Sequence, residues 1–472
     1  MLFNSLTFLV FFAIVMIVHR LPLSWRARKC NLLVASYLFY AAWNPPFIFL
    51  LWISTLIDWF AARKMGQASD KRARRWPLIF TLVVNLGLLG YFKYGAFMME
   101  NFIRLLSFAG IQYSPPEMGI ILPVGISFYT FQTLSYSLEV YRGNTKPWHS
   151  FLDYALFVSF FPQLVAGPIV RAHVFLPQCM KPGKASGTEI GWGLTLLTIG
   201  LFQKVTLADA ILAPVADAVF ASPETAGCLR GWAGTLAFSS QVFFDFAGYS
   251  TCAIGIALCL GFRIPDNFRC PFGAIGIADL WRRWHISLST WLRDYVYIPL
   301  GGNRCGRMRT FFNLMFTMLV CGLWHGASWT FIAWGGLQGI YMIVERFLRE
   351  RFSMRISLSS TLGKVSCVLV THFFWLISMV LFRAADFKGA SILFVSMFTG
   401  SHGMLALPVK GVIGTLVITP GLLVYHFLMR DTKFADLVKL VPWWLRALIL
   451  AGMLVCLALT PGDTRAFVYF QF

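Results

Sequence analysis

The sequence predicts an all-α membrane protein whose chain crosses the bilayer several times. Of its 472 residues, 58% are hydrophobic and only 13% are charged, whereas a soluble domain carries about 25% charged residues. Apolar runs long enough to span a bilayer recur from one end of the chain to the other. Helices satisfy their backbone hydrogen bonds within each segment, as the lipid interior requires. The short alternating segments of a β-barrel do not occur.

The charge pattern supports the membrane interpretation. The net charge is +20, and the basic residues lie between apolar runs rather than on one soluble face. This favours cytoplasmic loops over nucleic-acid binding. The ten cysteines show no CxxC pair and no metal-type spacing, so we predict no metal site and interpret most of them as small hydrophobic residues.

The sequence before residue 110 predicts four elements. The first apolar run, residues 2–18, is followed rather than preceded by basic residues, which indicates a retained helix that ends in the cytoplasm. Residues 30–59 break at Asn44-Pro45-Pro46 between two basic stretches, so we expect a hairpin. Residues 76–91 would cross outward, and the amphipathic stretch 96–109 would lie at an interface.

The middle of the chain contains apolar segments that are interrupted by prolines, glycine or polar residues. Residues 120–141 would cross inward to a polar loop that holds the pair Trp148-His149. The stretch FPQLVAGPIV in residues 151–170 is broken by prolines and glycine, which predicts a kinked or re-entrant piece buried in protein. Asp245 lies inside the apolar run 231–260. It is either functional or part of an ion pair or hydrogen bond between helices.

We count about eleven hydrophobic segments, some of them re-entrant, and find no internal repeat. One membrane domain over residues 1–472 is therefore expected. The remaining predicted spans or apolar pieces are residues 190–220, 310–344, 365–382, 390–398, 412–428 and 445–459.

Two Trp-His pairs organise the region from 281 to 341. Around His285, Trp281, Trp284, Leu288 and Trp291 recur at helical spacing, which predicts an amphipathic helix that lies flat on the cytoplasmic surface or dips into a protein cavity. His325 lies in GLWHGASW, midway along an apolar run. We expect the first histidine at a membrane surface and the second inside the membrane.

Both histidines suit acyl transfer, because imidazole can take a proton from a hydroxyl group near neutral pH and return it. For His325 the alternative is a structural histidine that is hydrogen-bonded between helices. Nearby arginines are candidates to bind the phosphates of a cytoplasmic donor such as coenzyme A, or they only anchor the cytoplasmic side. The candidate arginines are Arg282, Arg283, Arg293 and Arg304. No GxGxxG, P-loop, HExxH or GxSxG motif occurs, so the residues alone leave enzyme and transporter both open.

Several long motifs resemble the membrane-bound O-acyltransferase family, and within it the bacterial alginate O-acetyltransferase branch. The strongest are WRRWHISLSTWLRDYVYIPLGGNR and GLWHGASW, supported by LPVGISFYTFQTLSY, FPQLVAGPIVRA, FFDFAGYS and the C-terminal FVYFQF. The similarity covers nearly the whole chain. One departure is Gln338, where relatives commonly carry histidine.

The resemblance implies helices around a funnel or tunnel, with His325 as the signature histidine and His285 as the second. It implies an O-acetyltransferase of the bacterial inner membrane that binds no resident cofactor and uses acetyl-CoA as donor. A periplasmic acetyltransferase would complete O-acetylation of an exopolysaccharide, with alginate the first candidate. Cellulose and peptidoglycan remain alternative acceptors, and teichoic-acid alanylation is disfavoured. A transporter of an acylated intermediate is the alternative from a different class.

Overall fold

The computed structural model describes residues 1–116, 119–351, 360–400, 403–404, 406–432, 434–460, 465 and 467. Within these residues every regular element is a helix, so the predicted all-α class is confirmed. Of the C-terminal motif FVYFQF, only Phe467 belongs to the described part of the chain.

The chain divides into two compact units, the first comprising Met1–Leu194 with Ala253–Pro265 and the second Thr195–Cys252 with Asp266–Phe472. The single domain expected over residues 1–472 stays a prediction. The first unit contains the α-helices from the N-terminus to the start of the tenth. They are α1 Leu6–Arg20, α2 Trp25–Ala41, α3 Ile48–Gln67, α4 Lys71–Leu89, α5 Gly95–Phe108, α6 Ile126–Arg142, α7 Phe151–Ser159, α8 Phe161–Leu164, α9 Ala172–Met180 and the start of α10 Gly187–Leu201.

The second unit contains the remaining α-helices and both Trp-His pairs of the candidate site. After the end of α10 its helices are α11 Ala213–Ala221, α12 Pro223–Cys259 up to residue 252, α13 Ile277–Arg283, α14 Ile286–Leu292, α15 Arg307–His325, α16 Trp329–Arg351, α17 Thr361–Arg383, α18 Phe387–Phe398, α19 Val409–Leu428, α20 Phe434–Leu440 and α21 Trp443–Leu459. Wider π turns occupy Gly90–Tyr94, Phe202–Leu212 and Arg293–Tyr297, and 3-10 turns occupy Pro45–Phe47 and Pro271–Gly273.

Six helical segments of the described chain are long and apolar enough to cross a membrane. They are Pro45–Gln67, Lys71–Phe108, Gly187–Ala221, Pro223–Cys259, Thr361–Arg383 and Val409–Leu428. Helices α20 and α21, bent by 119°, would make a seventh if they form one broken span. The protein is thus a polytopic membrane protein, while the larger count of about eleven segments stays a prediction.

The first unit confirms two predicted interruptions. Helix α2 ends at Ala41 and α3 begins at Ile48, with the proline turn between them. The segment 151–170 is also broken: α7 ends at Ser159, one turn follows, and the backbone is then non-helical up to Arg171. Residues 153–170 are all buried, as irregular backbone at membrane depth requires. By contrast, Gly95–Phe108 continues the helical run of α4 rather than forming a separate piece.

The structure corrects the single amphipathic helix expected around His285. Helix α13 ends at Arg283 and α14 begins at Ile286, because His285 adopts a left-handed conformation with φ 43° and ψ 55°. A non-glycine residue in this conformation cannot continue a right-handed helix. The apolar run 310–344 is likewise two helices, α15 and α16, separated after His325.

Candidate active site

Glycines bring α15 and α16 together and thereby fix the position of His325. A Cβ atom on Gly322 would lie 2.2 Å from the Phe331 carbonyl oxygen, and one on Gly335 would lie 2.3 Å from the Met318 carbonyl oxygen. Neither position has room for a side chain, so the close approach of the two helices depends on glycine. At the end of α15, Gly326 lies against the Phe331 ring, where a Cβ would also clash.

His325 lies at the end of α15 inside an aromatic cage. Its side chain is 2% exposed. Its ring centroid lies 4.9 Å from Trp324, 5.0 Å from Trp334 and 5.3 Å from Phe382, with all three rings edge-on. The burial and the apolar walls confirm that this histidine is desolvated.

His285 is fully buried in protein, as expected if its segment dips into a protein cavity, while its position at the membrane surface stays a prediction. Its ring lies edge-on to Phe246, with centroids 4.6 Å apart, and edge-on to Trp324 at 5.5 Å. Trp324 therefore contacts both histidines. The distance between the two imidazole centroids cannot exceed the sum of their distances to Trp324, so they belong to one buried cluster.

Asn267 sets the proton position on His285. The Asn267 Oδ1 atom accepts hydrogen bonds from the Ser287 backbone N–H at 3.2 Å and the Ser287 hydroxyl at 2.9 Å. Because a backbone N–H can only donate, the amide atom at this position is the oxygen. The Nδ1 atom of His285, 3.1 Å from the same oxygen, must then carry the proton. In the neutral ring Nε2 is the basic nitrogen.

Asn267 also shapes the turn that holds His285. Its carbonyl accepts from the Ile286 N–H at 2.9 Å, and its Nδ2 donates to the Ser250 hydroxyl at 3.2 Å. Burial lowers the pKa of His285 to about 3, so this imidazole is neutral at physiological pH. A neutral ring with a defined tautomer can accept a hydrogen bond at Nε2.

Gln338 lies on the neighbouring face of α16 and is fully buried. Its Oε1 accepts from the indole N–H of Trp281 at 3.2 Å, and its Nε2 donates to the Ser378 hydroxyl at 2.8 Å. The amide thus connects α13, α16 and α17 behind the histidine cluster. Both polar ends of the Gln338 amide are therefore hydrogen-bonded, and the side chain acts as a structural bridge between the three helices.

The four predicted arginines differ in their exposure and in their carboxylate partners. Arg283 is engaged by Asp279 at 3.1 Å, by Asp431 at 3.2 Å and by the Arg430 carbonyl oxygen at 2.5 Å. Arg282 and Arg293 have side chains 67% and 59% exposed and pair with adjacent carboxylates. Arg304 is exposed, and no carboxylate of the described residues pairs with it. Among the four, Arg304 is the most available to an added anion.

Asp245 belongs to a buried ion-pair triad. It pairs with Lys204, which also pairs with Asp209 at 2.9 Å, and all three side chains are at most 7% exposed. Of the two interpretations left open for Asp245, these contacts favour the structural one. The triad links α12 to the π turn after α10.

Sequence reasoning missed Asn267 and the shared role of Trp324. Asn267 lies 18 residues before His285 and carries no local motif. The sequence shows a tryptophan before each histidine, but only the structure shows that the indole of Trp324 contacts both imidazole rings.

The membrane-spanning helices and the two buried imidazoles define the protein as an integral membrane protein with desolvated histidines. Comparison with known sequences identifies the class further. The sequence model of the MBOAT, membrane-bound O-acyltransferase family, matches residues 97–384. The chain belongs to this family and is a membrane-bound acyltransferase, as the motif resemblance indicated.

Individual relatives are similar over most of the chain. It is 40% identical over 404 residues to the "Probable alginate O-acetylase AlgI" of Pseudomonas aeruginosa, covering 84% of this chain and 75% of that protein. It is 38% identical over 388 residues to the peptidoglycan O-acetyltransferase of Helicobacter pylori, with 77% and 72% covered. A teichoic acid D-alanyltransferase of Bacillus subtilis is 30% identical over 253 residues, with 50% and 62% covered. The alginate-type proteins thus match over a longer part of the chain than the alanyltransferase.

Proposed function

We propose that the protein passes acetyl groups from a cytoplasmic thioester donor, acetyl-CoA, across the bacterial inner membrane for O-acetylation of an exopolysaccharide. The proposal includes about eleven hydrophobic segments around a funnel or tunnel and a periplasmic acetyltransferase as partner. One observation carries it: two buried histidines contact the same indole ring in a chain of the O-acyltransferase family.

In this proposal His325 is the general base. Its imidazole takes the proton of an acceptor hydroxyl, and the hydroxyl oxygen attacks the carbonyl carbon of the acetyl thioester. The new C–O bond forms as the C–S bond breaks, and the thiolate leaves with the proton that His325 returns. The aromatic cage supports this role because it excludes water that would hydrolyse the thioester.

His285 assists rather than replaces His325. Its Nδ1 proton is committed to Asn267, so Nε2 can orient a hydroxyl or the acyl group by accepting a hydrogen bond. For the donor, Arg304 is better suited to a phosphate than Arg283, whose guanidinium already has two carboxylate partners. Arg282 and Arg293 are exposed enough to contribute.

Alginate is the first candidate for the final acceptor, since relatives described as alginate O-acetylases match at 40% identity. Peptidoglycan is supported by the relative from Helicobacter pylori at 38%. Cellulose stays a third possibility on the motif resemblance alone. Export of an acylated intermediate without chemistry is the alternative from a different class.

The experiment uses purified protein in liposomes with radiolabelled acetyl-CoA on one side. Thioester loss and label crossing are measured for wild type, His325→Ala and His149→Ala. His149 is the matched control, because it also follows a tryptophan but is exposed. We expect His325→Ala to abolish thioester loss while the protein stays in the membrane, and His149→Ala to behave as wild type. Label that crosses equally well in His325→Ala would contradict catalysis and favour the transporter.

A further inference from the structure

The first unit contains a cavity of about 320 Å³ that is distant in sequence from the histidine motifs. Its walls come from the end of α1, the start of α2, the loop after α9 and Cys259. Three fixed cations line it: Arg20, Arg28 and Lys184. No carboxylate is among the lining residues, so the cavity is strongly electropositive.

Arg28 is the unusual member of this lining. The residue is only 5% exposed, yet none of the described carboxylates forms an ion pair with it. Its Nη2 donates to the Leu21 carbonyl oxygen at 3.0 Å, while its buried Nε has no hydrogen-bond partner among the described residues. A buried charge without a counter-charge is unfavourable. An anion in the cavity would supply both the charge and the missing acceptor.

A neighbouring buried cation on the same helix, Lys29, has a counter-charge within the protein. Lys29 is also buried, but it pairs with Asp153 and donates to the Cys179 carbonyl oxygen at 3.2 Å. Of these two adjacent buried cations, Lys29 is thus neutralised by a carboxylate of the chain, whereas Arg28 faces the cavity.

The acidic residue that follows this loop, Glu189 at the start of α10, is already paired elsewhere. The Glu189 carboxylate is engaged by Arg263 at 2.8 Å and by the Ser186 N–H at 2.9 Å. At the rim, the Gly183 backbone lies against Gly261, where a Cβ on either residue would come within 3.1 Å of the other backbone. This contact fixes the loop that carries Lys184.

We propose that this cavity binds a phosphate group, held by Arg28 at its base and by Arg20 and Lys184 at its rim. Arginine matches phosphate geometry through paired N–H donors. The phosphate can belong to an anionic phospholipid or to a soluble phosphate-bearing molecule. Leu21 and Leu23, 45% and 38% exposed beside the cavity, would contact an acyl chain and favour the lipid. The inference does not depend on the proposed acetyl transfer.

The test measures binding by the full-length protein in dodecyl maltoside. Native mass spectrometry gives the Kd for dioleoylphosphatidylglycerol and, as the zwitterionic reference, dioleoylphosphatidylcholine. Isothermal titration gives the Kd for inorganic pyrophosphate. The variants are Arg28→Gln, the rim pair Arg20→Gln/Lys184→Gln, and the control Arg26→Gln. Arg26 is exposed on the same helix but does not line the cavity.

We expect at least one anionic probe to bind, with a Kd that rises tenfold or more in Arg28→Gln and in the rim pair and is unchanged in Arg26→Gln. Binding of phosphatidylglycerol alone identifies a lipid site, whereas binding of pyrophosphate identifies a soluble ligand. The rim residues are exposed, so that variant keeps the test valid if Arg28→Gln fails to fold. Equal affinity for the two lipids together with no pyrophosphate binding would overturn the proposal, as would wild-type affinity in the rim pair.

Discussion

His285 shows how one strained residue organises the site. Its left-handed backbone ends α13 and starts α14, and such conformations persist only where surrounding contacts impose them. Here Asn267 provides those contacts, because its main chain and side chain together bind residues 285, 286 and 287. The strain thus places an imidazole of defined tautomer within the aromatic cluster.

Replacing Asn267 with alanine tests this residue-scale arrangement. The change removes the Asn267 oxygen that accepts from the Nδ1 proton of His285 and from the Ser287 N–H. We expect acetyl-CoA consumption to fall about 10²-fold and the free energy of unfolding to fall by about 1–3 kcal/mol. The control Ser250→Ala removes only the contact to Asn267 Nδ2 at 3.2 Å and should keep most activity. Equal activity in Asn267→Ala and wild type would contradict the role.

The lowered pKa of His285, about 3 in the folded protein, predicts a pH dependence of stability. In the unfolded chain histidine titrates near pH 6.5, so below that pH the unfolded state binds one more proton than the folded state. Stability from this group is present above pH 6.5 and is lost as the pH falls. Between pH 7.5 and 5.5 the loss is about 1.4 kcal/mol.

The measurement compares unfolding in mixed detergent micelles at the two pH values for wild type and His285→Gln. Glutamine stays neutral, so the variant should lose less stability on acidification than wild type by about 1.4 kcal/mol. Identical pH dependence in both proteins would show that His285 titrates normally.

At the scale of elements, the α15–α16 hairpin depends on backbone contact at Gly335. Alanine there would place its Cβ 2.3 Å from the Met318 carbonyl oxygen and force the helices apart. We expect Gly335→Ala to destabilise the protein by about 1–3 kcal/mol and to reduce His325-dependent acetyl-CoA consumption. The adjacent Gly336→Ala is the control, because the nearest atom is Leu319 Cδ2 at 3.4 Å. Similar thermal midpoints for the two variants would contradict the packing argument.

A second prediction at this scale concerns the buried ion-pair triad of Lys204, Asp209 and Asp245. In Asp245→Asn, Lys204 keeps its pair with Asp209 at 2.9 Å, so a one-to-one ion pair remains. We expect acetyl transfer to stay within about threefold of wild type, whereas Lys204→Met should destabilise the protein by about 3–5 kcal/mol because it leaves two buried carboxylates without their cation. Thermal unfolding and acetyl-CoA consumption check both variants. A stable but inactive Asp245→Asn protein would place this carboxylate in the reaction.

Local sequence patterns predicted the positions of the helices better than the breaks between them. Apolar run length located helices such as Thr361–Arg383, since burial in lipid demands continuous apolar sequence. The proline turn at Pro45 was readable because proline acts locally. The break at His285 was not, because Asn267 imposes it from 18 residues away. Burial of His285 in protein was one of two placements that the sequence left open, and the backbone reversal that turns the imidazole inward decides between them.

At the scale of the whole molecule, charge distribution predicts orientation. The 40 basic residues exceed the 20 acidic ones, and loops rich in arginine are retained in the cytoplasm. The joint formed by residues 304–309, which comprises the loop before α15 and the start of this helix, contains Arg304, Arg307 and Arg309 and the exposed Cys305. If this joint receives a cytoplasmic donor, Cys305 must face the cytoplasm.

A variant that keeps Cys305 as its sole cysteine tests that orientation. A membrane-impermeant maleimide should leave it unlabelled in intact spheroplasts and should label it after permeabilisation. The matched variant keeps only Cys321, which is buried in α15, and should react only after denaturation. Labelling of Cys305 in intact spheroplasts would place the arginine joint outside the cytoplasm. The donor would then have no access to Arg304 from the side where acetyl-CoA is made, and the direction of transfer proposed here would be wrong.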